Sequence, residues 1–392
     1  MVDGRLVVGD LRVQEIVRVD GRVTYTVVDE SCAVVGAADA FLRSCRAGTA
    51  RTYAYLLVDH LRWLRFAGLS VESVVLRDLT HYMAAVGAEF TGPFGLPWRV
   101  GRRPYGNSAL KTAAACLKGF YLHQATCGVN RAVAQELRGS RLPTRADRRR
   151  SMLGHVLTEM PANPLAPDRW VRRHPKMLPE GAREQLVDQL ACARDRMVVT
   201  WLADGGFRVG ELCGLHLVDL HLREGAACGQ CRSAHVHICH REGNANRARV
   251  KTKTPWQRQD GVVSGGAVRR ASPAMIHTYF DYIATEYPRQ AGHGMLLVSL
   301  HGPTRGQPWT TDGVRGMLRR AGHRLELGRV APHAFRHTFA TGVLDAAGGN
   351  AVIARDAGGW ASAATVEEVY GHADVHDPLF AAALDRVWGP QP

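Results

Sequence analysis

Lysine is nearly missing from this chain. Of its 50 basic side chains, five are lysine and forty-five arginine. Arginine-rich codon usage would explain that bias, but not the shortage of acid: 36 Asp and Glu leave a formal charge of +14. An excess of that sign points to a polyanionic partner, nucleic acid first. Long hydrophobic runs are also lacking. No stretch reaches the roughly eighteen apolar residues of a membrane span, so no membrane partner is expected. The opening MVDGRLVVGDLRVQEIV has no basic start, long apolar centre and cleavage site, so no secretory signal is expected. Nine cysteines are scattered without a framework and their number is odd, which suits a reducing, cytoplasmic location. Neither a Gly-x-x-x-x-Gly-Lys-Ser/Thr loop nor a His-Glu-x-x-His pair occurs, so the chain offers no phosphate-binding loop and no zinc protease helix.

What is present reads as a globular protein. Hydrophobic residues make up 46% of 392, enough for two separate cores. Residues 5–30 alternate, with a turn signal at 19–22, and predict a β-hairpin extension over 1–35. Residues 36–137 read as a helical domain. Phe41, Leu42, Tyr53, Leu56, Leu57, Leu61, Leu64 and Phe66 recur at helical spacing, as do Leu110, Ala114, Leu117 and Tyr121. Arg43, Arg51, Lys111 and Lys118 fall between them, either as a solvated face or as phosphate contacts. Residues 138–178, with RGSRLPTRADRRR and MPANPLAPDRWVRRHPKMLP, read as a basic linker. From 179 to 392 the pattern is mixed: helices over 180–202, 270–287, 311–325, 335–347 and 364–370, with AHVHICHR and RARVKTKT alternating like strands. The expected fold is mainly α with a small antiparallel β-sheet.

Three stretches concentrate reactive side chains. In GGFRVGELCGL, Arg208 and Glu211 stand three apart on a helix expected to start near Gly206, an apolar and glycine-rich setting suited to an oxyanion. In APHAFRHTFATGVL, His333 and Arg336 repeat that spacing. Arginine offers a fixed fork to two phosphate oxygens, and histidine moves protons near neutral pH. In GGWASAATVEEVYGHAD, Trp360 follows two glycines and Tyr370 comes ten residues later. Phenol, with a free pKa of about 10, needs neighbours to become a nucleophile. Taken singly, these are equally a surface ion pair, a capped core helix and a packed tyrosine.

In order, Arg-x-x-Glu, a lysine, His-x-x-Arg, Gly-Trp and Tyr, this set resembles the tyrosine recombinase (phage integrase) family. The resemblance covers about residues 180–375 and extends more loosely to the helical domain through TARTYAYLLVDHLRWLRFAGL. It implies a helical DNA-binding domain followed by an α+β catalytic domain. The implied activity is site-specific recombination for integration, excision or transposition of a mobile element. It assigns Tyr370 as the nucleophile that forms a 3′-phosphotyrosyl link, Arg208 and Arg336 as clamps on the non-bridging oxygens, and His333 as the proton-transfer residue. Trp360 would position and pack, since an indole cannot act as a base, and Glu211 would orient the cluster. A lysine in a β-hairpin would protonate the leaving 5′-oxygen, which gives RVKTKT a reason to keep lysine. Lys251 is favoured and Lys253 is the alternative. The family uses no cofactor. Its partners are double-stranded DNA attachment sites, further copies of the chain forming a tetramer on DNA, and accessory DNA-bending or directionality proteins.

CGQCRSAHVHICHR stands apart from these boxes. Cys228 and Cys231 form a C-x-x-C pair that makes them structural zinc candidates, with His235, His237, Cys239 and His240 following at a spacing too short for a usual finger. Cross-strand packing of the histidines is the alternative. Finally, Phe380, Leu384 and Trp388 share a stripe in the tail 377–388, which would dock on its own domain or on a neighbouring subunit.

Overall fold

Residues 11–19, 23–87, 96–167, 176–251, 253–288 and 291–370 are described by a computed structural model. The turn at 20–22 and the tail stripe of Phe380, Leu384 and Trp388 lie outside them. The chain divides into two units, Met1–Arg172 and Arg173–Pro392.

In the first unit, strands β1 (Arg12–Val17) and β2 (Val23–Val28) pair antiparallel, with Arg12 opposite Val28 and Val17 opposite Val23. The hairpin is no free-standing extension. Leu11 and Val27 are buried in the same core as the helices that follow. Those helices are α1 (Gly36–Ser44), α2 (Ala47–Phe66), α3 (Leu76–Gly87), α4 (Asn107–Thr126) and α5 (Arg131–Leu137). Leu57, Leu61 and Leu64 of α2 meet Ala114, Leu117 and Tyr121 of α4, as their spacing predicts, whereas Phe66 is 40% exposed.

One buried charge organises this unit. Asp59, 2% exposed, accepts from Arg99 Nε (2.8 Å), Arg102 Nη1 (2.9 Å) and Tyr105 Oη (2.7 Å), which pins the 97–105 segment to α2. A carboxylate out of water persists only when its oxygens are satisfied in this way.

The described part of 138–178 is more ordered than its composition implies. It forms β3 (Ser140–Arg141), α6 (Arg145–Arg150) and β4 (Met160–Pro161). Thr144 and Asp147 close a capping box at the start of α6, so a local polar exchange starts a helix that lacks apolar periodicity.

The second unit packs α7 (Ala182–Gln189), α8 (Ala193–Gly205), α9 (Val209–Cys213), α10 (Pro273–Thr285), α11 (Thr311–Arg324), α12 (Pro332–Ala346), α13 (Ala351–Gly358) and α14 (Ala363–Tyr370) around small sheets. Strands β5 (Leu220–His221), β6 (His235–Ile238) and β9 (Ala267–Arg270) form one antiparallel sheet. Between β6 and β9 in sequence, β7 (Trp256–Gln259) and β8 (Val262–Gly265) form a separate hairpin. Val236 and Ile238 enter a core with Trp201, Phe207, Leu212, Leu297 and Phe335. No strand forms among the described residues of RARVKTKT. Asn246 Nδ2 donates to the carbonyls of Cys213 and Trp309, both at 2.8 Å, and Asn244 Nδ2 to that of Ala248 at 3.1 Å. Side chains thus hold this segment as a loop, and the hairpin begins only after Pro255.

His60, fully buried, has its Nε2 2.7 Å from Tyr121 Oη, and burial drives its pKa down to about 3. The unfolded chain takes up a proton near pH 6.5 that the folded chain refuses. This contribution to stability is therefore present above pH 6.5 and lost as pH falls towards 3. In thermal melts of the wild type and His60→Gln, the Tm advantage of the wild type should be largest at pH 7 and shrink steadily by pH 4.

Candidate active site

Helix α8 stops at Gly206, whose φ of +56° places it in the left-handed region. A Cβ there would lie 2.3 Å from the Phe339 ring. Only glycine makes this turn against α12. The turn aims the Gly206 carbonyl at α12, where Arg336 Nη1 donates to it at 2.6 Å. The left-handed residue also ends the expectation of a helix beginning near 206. Arg208 is the cap residue, and α9 starts at Val209.

Glu211, 2% exposed, serves two arginines. Its Oε2 accepts from the Arg208 amide at 3.0 Å and its Oε1 from Arg208 Nη1 at 2.5 Å, while Arg336 Nη1 lies 4.0 Å away. Arg336 is 1% exposed, stacks its guanidinium 3.9 Å over the Trp360 ring, and keeps an Nη2 with no hydrogen-bond partner among the described residues. Burial, then the charge of Arg208, lowers its pKa to about 10.

A third arginine, which the sequence reading missed, belongs to the group. Arg269 on β9 is 4% exposed and donates to the Gly358 carbonyl at 2.7 Å. Its Nε has no partner among the described residues. Burial first, and also the Arg208 charge, lowers its pKa, with Glu211 acting the other way. Nothing near VRR marks it; only strand pairing carries it to the site. Two guanidiniums thus pair with one carboxylate and a third feels its charge, and the surplus charge with unused donors suits a phosphate-like oxyanion.

Tyr370 ends α14 and is 9% exposed. Its hydroxyl meets His337 Nδ1 at 2.8 Å. His337, the second residue missed, stands one turn beyond His333 on α12, and their rings are 4.3 Å apart. The i, i+4 spacing inside PHAFRHTF was the available signal. Burial, then His333 and Arg336, lowers the His337 pKa to about 4, so the ring is neutral near pH 7. Burial raises the Tyr370 pKa, against the pull of Arg336 and Arg208. Trp360 packs on Tyr370 with ring centroids 5.7 Å apart.

The two lysines separate. Lys251 is close enough to His333 that its charge, after desolvation, Arg336 and Arg208, lowers the pKa of that ring. Lys253 is 70% exposed and lies 3.8 Å from Glu242 Oε1. Gly210 matters here, because a Cβ would lie 2.6 Å from the Arg249 carbonyl and push the lysine segment off α9. Lys251 sits before the β7–β8 hairpin, not within it.

In the first unit, Arg51 and Lys111 are exposed. Arg43 is exposed but paired with Asp39 at 2.6 Å. Lys118 is turned to other use, donating to the Ala162 carbonyl. The C-x-x-C pair is split: Cys228 gathers with His221, His235 and His237, while Cys231 is not in that group.

Residues 176–376, just over half of the chain, match the phage integrase family. The chain belongs to that family. It is 26% identical over 196 residues to transposase A from transposon Tn554 of Staphylococcus aureus, covering 50% of this chain and 45% of that protein. It is 27% identical over 231 residues to tyrosine recombinase XerC of Pseudomonas syringae pv. tomato, covering 57% and 61%. The chain thus spans about half the length of the curated relatives it matches. Among solved structures, the Tn1549 transposon integrase in complex with transposon right end DNA superposes with a TM-score of 0.53 at 16% identity, over 90% of this chain and 99% of that one. XerH recombinase bound to its difH substrate also gives 0.53, at 15% identity over 88% and 82%. These structures share the fold of this phage integrase family member.

Removing the Glu211 carboxylate should leave Arg208 and Arg336 without their ion-pair partner. Glu211→Ala should cost about 3–5 kcal/mol in urea unfolding, the usual penalty for breaking a buried ion pair. Added sulfate should recover part of the loss.

Proposed function

We propose that the chain is a site-specific recombinase that cuts and rejoins DNA through a 3′-phosphotyrosyl intermediate at Tyr370. One observation carries this reading: a buried tyrosine hydroxyl, hydrogen-bonded to a neutral histidine, lies beside arginines with spare donors. Phosphoryl transfer needs a positioned nucleophile and charge complementary to the transition state, and this group supplies both. It needs no metal or nucleotide.

In the proposed reaction Tyr370 Oη attacks phosphorus while its proton passes to His337, with His333 beside it to relay the charge. Arg208 and Arg336 hold the non-bridging oxygens, and Arg269 adds positive field from β9. The bond to the 5′-oxygen breaks, and Lys251 protonates that oxygen as it leaves. Glu211 aligns the arginines and Trp360 packs against Arg336 and Tyr370. Attack by a 5′-hydroxyl on the phosphotyrosine then reverses the step on a new strand and returns both protons.

Substrate and assembly follow the same reading. The DNA is a duplex attachment site of a mobile element, and the chain integrates, excises or transposes it as a tetramer, with accessory DNA-bending or directionality proteins. The similarity to a transposase and a recombinase supports this. Arg51 and Lys111 in the first unit are the exposed cations proposed to meet the phosphate backbone.

Nicked duplexes built from the DNA flanking the gene provide the test. Wild-type protein should form a covalent adduct that resists denaturant, and Tyr370→Phe should form none while still shifting the duplex in a gel. An undiminished adduct in the variant overturns the reading. Site-independent relaxation of any supercoiled plasmid would instead mark a topoisomerase.

The lysine assignment has its own test. Lys251→Arg should slow cleavage by about 10²–10⁴-fold, the usual worth of a general acid. A 5′-thiol leaving group, which needs no proton, should restore the rate. Lys253→Arg should cleave at close to the wild-type rate on both substrates.

A further inference from the structure

Three histidines and a cysteine of the second unit lie outside the reaction described above. In the antiparallel sheet His221 on β5 pairs with His235 on β6, and His237 follows two residues on. All three share one sheet face, opposite the Val236 and Ile238 side that fills the core. Cys228 comes from the loop between β5 and β6. The ligand atoms of the four residues all lie within 4.8 Å of one another.

Proton counting makes this group more than packing. His235 Nδ1 faces the Ser233 carbonyl at 2.7 Å, and His237 Nδ1 faces the Gly265 carbonyl at 2.7 Å. A carbonyl only accepts, so both Nδ1 atoms carry the proton and, in neutral rings, both Nε2 atoms present lone pairs. Those two Nε2 atoms face each other at 3.2 Å, and Cys228 Sγ lies 3.2 Å from His235 Nε2. Lone pairs at that range repel unless a cation sits between them. Anchoring the far ring nitrogen to a backbone carbonyl is also how a metal-binding histidine is oriented.

We propose that His221, Cys228, His235 and His237 form a structural zinc site. Three imidazoles and one thiolate make a closed tetrahedral set of zinc's preferred donors. Zn–N bonds of about 2.0–2.1 Å and a Zn–S bond of about 2.3 Å place tetrahedral ligand atoms roughly 3.3–3.7 Å apart, close to the spacing here. With four protein ligands no position is left for a reacting water, so the ion holds structure. It clamps the β5–β6 loop to the sheet and, through the Gly265 carbonyl, fixes the end of the β7–β8 hairpin. Strand β6 in turn pairs with β9, with Val236 opposite Arg269, so the zinc steadies the strand that carries the third arginine.

Elemental analysis of the full-length protein, purified without chelator, should find about one zinc per chain. After removal of the metal, added Co²⁺ should give the visible bands of a tetrahedral site and a thiolate-to-cobalt charge-transfer band. Cys228→Ser should abolish the charge-transfer band, and Cys231→Ser should keep it. A zinc content far below one in the unaltered protein, together with no tetrahedral cobalt spectrum, overturns the proposal. So does a charge-transfer band that survives Cys228→Ser or disappears in Cys231→Ser. None of these readouts depends on DNA cleavage, so the zinc site stands or falls apart from the recombinase reading.

Discussion

Glu211 holds Arg208 by both its side chain and its main-chain amide and lies within ion-pair reach of Arg336. Its carboxylate fixes two of the three buried or half-buried guanidiniums directly, and its charge reaches the third, Arg269, which the Gly358 carbonyl holds. Remove that charge and Arg336, Arg208 and Arg269 repel one another in a setting with little water to screen them. Keep it and the group still carries excess positive charge and unused N–H donors. That balance suits an oxyanion and keeps the arginines from driving one another apart. The glycines around it serve the same end, since Gly206 lets the chain turn under Phe339 and Gly210 lets the lysine loop lie against α9.

How far the sequence foretold this depends on distance along the chain. Arg208 with Glu211, and His333 with Arg336, are short-range pairs legible from their spacing; the helix expected over 335–347 lies within α12, whereas the one expected near 206 starts only at Val209. Arg269 could not be found that way. It sits in a four-residue strand in an arginine-rich chain, and only pairing with β6 carries it to the carbonyl of Gly358. His337 was in plain view one turn beyond His333, but its meaning depends on where α14 sets Tyr370. His221 lies outside the cysteine-histidine run, and only the β5–β6 register joins it to His235. Loops were hardest. RARVKTKT has the alternation of a strand, yet two asparagine side chains claim the backbone groups a strand partner would have used.

The scarcity of lysine bears on the choice between the two kinds of cation. Arg336 sits where burial and a neighbouring positive charge together pull its pKa down to about 10, and it remains charged near pH 7 because it starts so high. A lysine in that place begins about two units lower, and the same environment would carry it towards the range where it loses its proton and its hold on an oxyanion. Arginine is therefore the residue that can be buried in this cluster and stay a cation. The requirement reverses at the edge of the site. A group that must hand a proton to a departing oxygen has to be able to let it go, and arginine hardly ever does. Lys251, exposed on a loop yet near enough to His333 to be felt there, is the lysine proposed for that step, while Lys253 lies beside Glu242. The chemistry thus asks for both cations within one site, separated by burial. Under the proposed reaction, one of the chain's five lysines stands where a proton has to leave.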